Sequence, residues 1–85
     1  PGEGRVKFIE VKGRVFDAST ITVYKTEILT CLNKPEDFIL AIVLVNGEKV
    51  ELHYVPRPFS TEPDVGAESV NYSLRDLLVR AEKPS

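Results

Sequence analysis

Residues 38–45 read FILAIVLV, eight apolar residues in a row, with Pro35-Glu36-Asp37 before them and Asn46-Gly47 after. A strand with one wet face alternates polar and apolar residues, so an unbroken run of this length between turn formers predicts a strand covered on both faces. It is the natural central strand, and the rest of the chain can be placed around it. Asn46 and Gly47 both tolerate positive φ and favour a tight hairpin turn. Beyond them Val50, Leu52 and Tyr54 alternate with Lys49, Glu51 and His53, which predicts an antiparallel partner over 49–55 with one wetter face.

Upstream, RVKFIEVKGR at 5–14 reads as another strand. Alternate side chains of a strand share a face, so Val6, Phe8, Glu10 and Lys12 line one side while Lys7, Ile9 and Val11 line the other. The first face begins apolar and ends charged. The plain reading is a strand end emerging into water; the sharper one is a carboxylate and an ammonium held side by side for chemistry. VFDAST, 15–20, reads as a loop or short edge element, and TITVY, 20–24, as a short strand. Ile28, Leu29 and Leu32 then recur at helical spacing, with Thr26 as cap and Asn33 and Pro35 as stop, predicting a helix over 26–33. Pro56 and Pro58 end the sheet pattern, and 59–69 has the composition of a surface loop. Ser73 opens a capping-box-like SLRD, after which Leu74, Leu77, Leu78 and Ala81 give a closing helix its apolar stripe. The order implies an α/β fold, a mixed β-sheet flanked by helices. A crossover through 26–33 places strand 6–12 parallel to strand 38–45.

The 85 residues suffice for a single domain spanning 1–85 with one modest core. With 42% hydrophobic and 28% charged residues, the composition is that of a soluble globular protein. No apolar segment approaches the roughly 18–20 residues of a membrane helix, so no membrane association is expected. The lone cysteine, Cys31, cannot form an internal disulfide and sits among Leu29, Thr30 and Leu32 as a small buried hydrophobe. A reducing, cytoplasmic setting fits. Eleven basic against 13 acidic residues, a net charge of -2, disfavour a strong free-standing DNA-binding module. A local patch of Arg5, Lys7, Lys12, Arg14 and Lys25 competes with the reading of a solvated strand face. The opening PGEGR resembles a hairpin tip whose first arm is absent, and the chain, which has no methionine, reads as truncated at its N-terminus. Removal of an initiator methionine before proline gives the same start. An absent first arm would leave strand 5–12 as an exposed edge through which two copies could pair as a homodimer.

Glu10-x-Lys12 is a short pattern of low specificity, and its context at the end of an apolar strand gives it interest. A carboxylate there could reach a divalent ion while the amine orients or polarises an attacking water. Mg²⁺ needs oxygen ligands, so Glu10 requires a second acidic group, with the backbone carbonyl of Val11 as a further ligand. Before Glu10 the chain offers only Glu3; Asp17 and Asp64 follow it. His53, the only histidine, has no Cys or His at metal-binding spacing and reads as a surface or hydrogen-bonded residue. Arg57 between prolines reads as a solvated arginine in a rigid turn, and Asn71 and Tyr72 as anchors for the last helix. There is no phosphate-cradling Gly-rich loop and no Ser-His-Asp order.

FIEVKGR, ITVYKTEILTCLNKPEDFILAIVLV, YVPRPF, EPDVGAESVNY and the closing helix together resemble the C-terminal domain of the plant protein NO VEIN, over nearly the whole chain. Similar domains occur in Swi/Snf-type helicases and in restriction or phage-defence proteins, and the family looks related to the PD-(D/E)XK nucleases. That resemblance implies a restriction-endonuclease-like core and a nuclease-like domain of a DNA-processing, helicase-associated parent protein. It implies Mg²⁺- or Mn²⁺-dependent phosphodiester hydrolysis of DNA, with Glu10 and the Val11 carbonyl as metal ligands and Lys12 as catalytic lysine. Lys25 and Glu27 fall where relatives carry a polar helix-start motif and are auxiliary candidates. The aspartate that such nucleases carry on the preceding strand has no counterpart before Glu10. The fragment alone is therefore expected to be inactive, and the alternative is a non-catalytic DNA- or protein-interaction module that keeps the fold.

Overall fold

The computed structural model describes residues 8–81. The expected hairpin tip at 1–5, together with Arg5 and Lys7, lies outside them. The elements run β1 (Phe8–Val15), β2 (Thr20–Tyr24), α1 (Lys25–Asn33), a 3₁₀ turn (Pro35–Asp37), β3 (Phe38–Asn46), β4 (Lys49–Pro56), β5 (Ser69–Ser73) and α2 (Leu74–Val79). This is an α/β arrangement of a mixed sheet and two helices.

β3 is central, as the apolar run predicts. It pairs in parallel with β1, Phe8 beside Phe38 through Val15 beside Val45, and antiparallel with β4. The crossover expected from the element order therefore holds. The strands differ from the expected single sheet, however: β2 pairs with β5 in a separate two-stranded antiparallel sheet. β5 covers residues expected to be a loop and the lead into the last helix. Val70 and Tyr72 face inward between exposed Ser69, Asn71 and Ser73, an alternation too short to stand out from loop composition. The first strand also runs on to Val15, because the backbone pairing with β3 continues past Gly13. The hairpin turn is shifted by one residue. Asn46 still pairs with Lys49, so Gly47 and Glu48 form the turn, and Gly47 takes φ 64° at its first central position, where a type II′ turn needs glycine.

Register decides which residues meet. On one face of the three-stranded sheet Phe38, Leu40, Ile42 and Leu44 of β3, with Val55 of β4, pack in the core with Ile21, Val23, Ile28, Cys31, Phe59, Leu74 and Leu77. Both helices lie on this side. α1 buries Ile28 and Cys31 and half-buries Leu32, so its buried stripe runs i, i+3, i+4, while Leu29, expected inside, is exposed. Ser73 caps α2, its Oγ accepting from the Asp76 N–H at 3.2 Å. Thr26 does not cap α1; Tyr24 is the N-cap, since β2 passes directly into the helix.

The opposite face of the same sheet is different. Ile9 and Val11 of β1, Val45 of β3, and Val50 and Leu52 of β4 are all exposed there. β3 is thus covered by a helical layer on one face only, where its sequence predicts cover on both. Among the described residues no helix is long and apolar enough to cross a membrane.

Candidate functional site

Glu10 and Lys12 lie on the helix-bearing face of β1, in register with Leu40 and Ile42. Because α1 starts at the end of β2, its first turn is brought over that part of β1. Glu27, at the third helical position, reaches back so that its Oε1 accepts from the Tyr24 N–H at 2.9 Å, closing the helix start. The same carboxylate meets Lys12: Nζ lies 3.0 Å from Glu27 Oε1 and 3.2 Å from Oε2. Lys12 Nζ is also 3.5 Å from Glu10 Oε2. One ammonium therefore bridges two carboxylates, and the Lys12 and Glu27 side chains keep only 16% and 19% of their surface exposed. The Tyr24 ring flanks the ammonium, 5.3 Å from Nζ to the ring centroid. A concavity of about 200 Å³ beside the cluster is lined by Phe8, Glu10, Thr26, Glu27, Thr30 and Phe38.

The two acids are driven apart. Burial raises the Glu10 carboxyl above its ordinary value, the nearby Glu27 adds to the rise, and Lys12 opposes it. Burial alone would raise Glu27 as well, but the Tyr24 N–H, Lys12 and Glu10 all donate to or stabilise its charged form and bring it below its ordinary value. Glu27 is the more firmly ionised of the pair, and Glu10 takes up a proton first.

Of the residues singled out in the sequence, the structure joins Glu10, Lys12 and Glu27. Lys25 is not part of the cluster: its N–H donates to the Glu68 carbonyl at 2.8 Å, and its residue lines a separate 420 Å³ cleft with Tyr24, Thr26, Gly66, Ala67 and Glu68. Val11 points its side chain to the opposite face, so only its backbone could serve this site. The acid that joins Glu10 at Lys12 is Glu27, whereas Asp17 and Asp64 are exposed, Asp17 just beyond β1 and Asp64 in the loop before β5. Tyr24 is the residue that sequence reasoning missed; its only signal was its place immediately before the helix. Among the described residues no group of three or more His, Cys, Asp or Glu forms a metal cage. Two carboxylates match the demand of Mg²⁺, which completes its shell with water and substrate phosphate.

The other candidates settle into structural positions. His53 Nε2 is 3.2 Å from Glu51 Oε1. The Cys31 thiol lies 3.7 Å from the Phe59 carbonyl, and burial pushes it up, which leaves it inert. Arg57 is exposed at φ 48° in the turn after β4. Asn71 and Tyr72 belong to β5: Asn71 accepts from the Thr22 hydroxyl at 2.6 Å, and Tyr72 packs on Phe59 with centroids 4.9 Å apart. Lys12 is neutralised by its two acids and so adds no free charge to a basic patch, whereas Arg14, which donates to the Thr20 carbonyl at 3.0 Å, keeps its charge.

An α/β chain carrying Glu-x-Lys on a strand, with a glutamate from the following helix closing on the lysine, is the class these elements define. The family model described as "Protein NO VEIN, C-terminal" matches residues 1–55, and the chain belongs to that family. The matched segment carries all of β1, α1 and β3 and with them Glu10, Lys12, Tyr24 and Glu27. Neither the curated proteins nor the solved structures provide a match.

Proposed function

We propose that this chain is a nuclease-like domain of the PD-(D/E)XK type, with a restriction-endonuclease-like core, from a DNA-processing or defence protein of the helicase-associated kind. The observation that carries the reading is the convergence of Glu10 and Glu27 on Lys12 from two elements, beside an open concavity. Glu10 and Glu27, with the Val11 carbonyl, would hold Mg²⁺ or Mn²⁺. Such an ion supplies charge neutralisation at the scissile phosphate and a more acidic water. Lys12 then holds its proton beside the phosphate and orients the water, and Tyr24 keeps the ammonium in place through its ring face. In the absence of substrate, Lys12 neutralises the two acids itself. Lys25, in its separate cleft, is not a member of the catalytic cluster.

The experiment is cleavage of plasmid and linear DNA in Mg²⁺ and Mn²⁺ by the chain and by its Glu10→Gln and Lys12→Ala variants. Because Glu27 stands beside Glu10 as the second acid whose absence before Glu10 led to the expectation of an inactive chain, the reading expects metal-dependent cleavage by the chain that falls by about 100-fold or more in each variant. Equal cleavage by all three proteins overturns the site assignment. The second reading, a non-catalytic DNA- or protein-docking module, is favoured by one observation: the described residues supply two acids and no third. It expects DNA binding without cleavage by all three proteins.

A further inference from the structure

Among the described residues, the sheet face opposite Glu10 and Lys12 carries no charged residue on any of its three strands. Val11 on one outer strand is 60% exposed and Val50 on the other is 64% exposed, with Val45 between them also exposed. Only Ala41, small and flanked by its neighbours, is buried on this face, and it stands outside the core cluster. The sheet is mixed, β1 parallel and β4 antiparallel to β3, and the unbroken apolar run of β3 is the sequence of a strand covered on both faces. Among the described residues nothing supplies the second cover.

We infer that this face is the contact between two copies of the chain, packed sheet against sheet about a two-fold axis. Three strands of about eight residues make a face roughly 14 Å by 26 Å. A single helix, about 10 Å across with its side chains, would follow β3 and leave both rims wet. Val11 and Val50 are the rims, and they are the residues most in need of cover. A second copy of the same sheet matches the full width, and aligned sheets pack about 10 Å apart. Across a two-fold axis a patch meets its own image, so any charge would face its like; the described residues of this face have none to repel. Two such faces, each about 360 Å² in plan, bury on the order of 700–1,000 Å² once side-chain relief is added, the range of weak association. The contact uses the face of β1 and leaves its edge free, so it differs from pairing through the exposed strand. Both acid-lysine clusters remain outside, pointing away from each other, and the inference stands independently of what those clusters do.

Sedimentation equilibrium over about 5–200 µM tests it, on the chain and on Val11→Lys and Val50→Lys. Both positions are more than half exposed in one copy, so neither substitution disturbs the core; far-UV circular dichroism checks that the variants fold. The expected result is a dimer for the chain and association weakened by about 10-fold or more in each variant. A chain that stays monomeric across the range, leaving the face for a helical partner, overturns the inference. A dimer equally tight in both variants places the contact elsewhere and overturns it as well.

Discussion

The two faces of the β1-β3-β4 sheet are made by the same residues taken alternately, and they differ in almost every respect. On the helix-bearing face β3 is fully packed, and β1 sets two ionisable groups beside it under the first turn of α1. On the other face the described residues of all three strands are uncharged, and Ile9, Val11, Val45, Val50 and Leu52 are exposed. Between Glu10 and Val11 the chain passes from one regime to the other in a single residue. The lesson is that strand periodicity lets one short strand be both the wall of a charged site and part of a docking plate, with neither disturbing the other.

The largest expected effect breaks the comparison at its packing. Ile42, fully buried, loses its contacts with the helical layer in Ile42→Ala, at a cost of about 2–5 kcal/mol. Val11→Ala on the open face, measured in dilute samples, changes stability by about 0.5 kcal/mol or less. Urea denaturation of both variants reads the difference, and comparable losses would mean that the two faces are equally covered.

Next comes the ammonium that joins the acids. Lys12→Met keeps the apolar stem but leaves Glu10 and Glu27 facing each other, and costs about 1–2 kcal/mol at neutral pH. Lys12 lowers both carboxyls, so without it both shift upward and the deficit relative to the parent shrinks as pH falls and they take up protons. Thermal unfolding across pH 3–8 checks this course (range chosen around the carboxylate values of about 4).

The smallest effects have opposite signs. Glu10 has a folded pKa above its ordinary 4.5, so the parent loses stability as pH rises from that value through the raised one. Glu10→Gln cannot ionise and gains on the parent over that window, by about a few tenths of a kcal/mol, retaining the gain above it. Glu27 has a folded pKa below 4.5, so its contribution is present above that value and is lost as pH falls through the lowered one. Glu27→Gln is therefore less stable than the parent at neutral pH, and the deficit vanishes on acidification. Same-sign effects at neutral pH would contradict the assignment of the two roles.

Much of this division could be read from the sequence, for reasons that also explain the rest. The apolar run of β3, the glycine of the hairpin and the alternation of β1 are local signals, and they located the central strand, its two neighbours and the shared face of Glu10 and Lys12. Glu27 was within reach as an auxiliary candidate, but its contact with Lys12 spans 15 positions and depends on β2 entering α1 without a loop. Lys25, two residues away in the same motif, was equally eligible as a candidate and ends in another cleft. β5 was hidden because only Val70 and Tyr72 mark its inner face, and its partner β2 lies some fifty residues earlier. The bareness of the second face was not legible at all, since an apolar run shows that cover is needed without showing what provides it.

The central claim is that Glu10, Glu27 and Lys12 form a site for a divalent cation, and calorimetric titration with Mn²⁺ tests it most directly. The account predicts saturable binding of one ion to the chain, lost in Glu10→Gln and in Glu27→Gln and kept in Val50→Lys. Binding of unchanged strength in the two glutamine variants, or none to the chain in the presence of DNA, would contradict it.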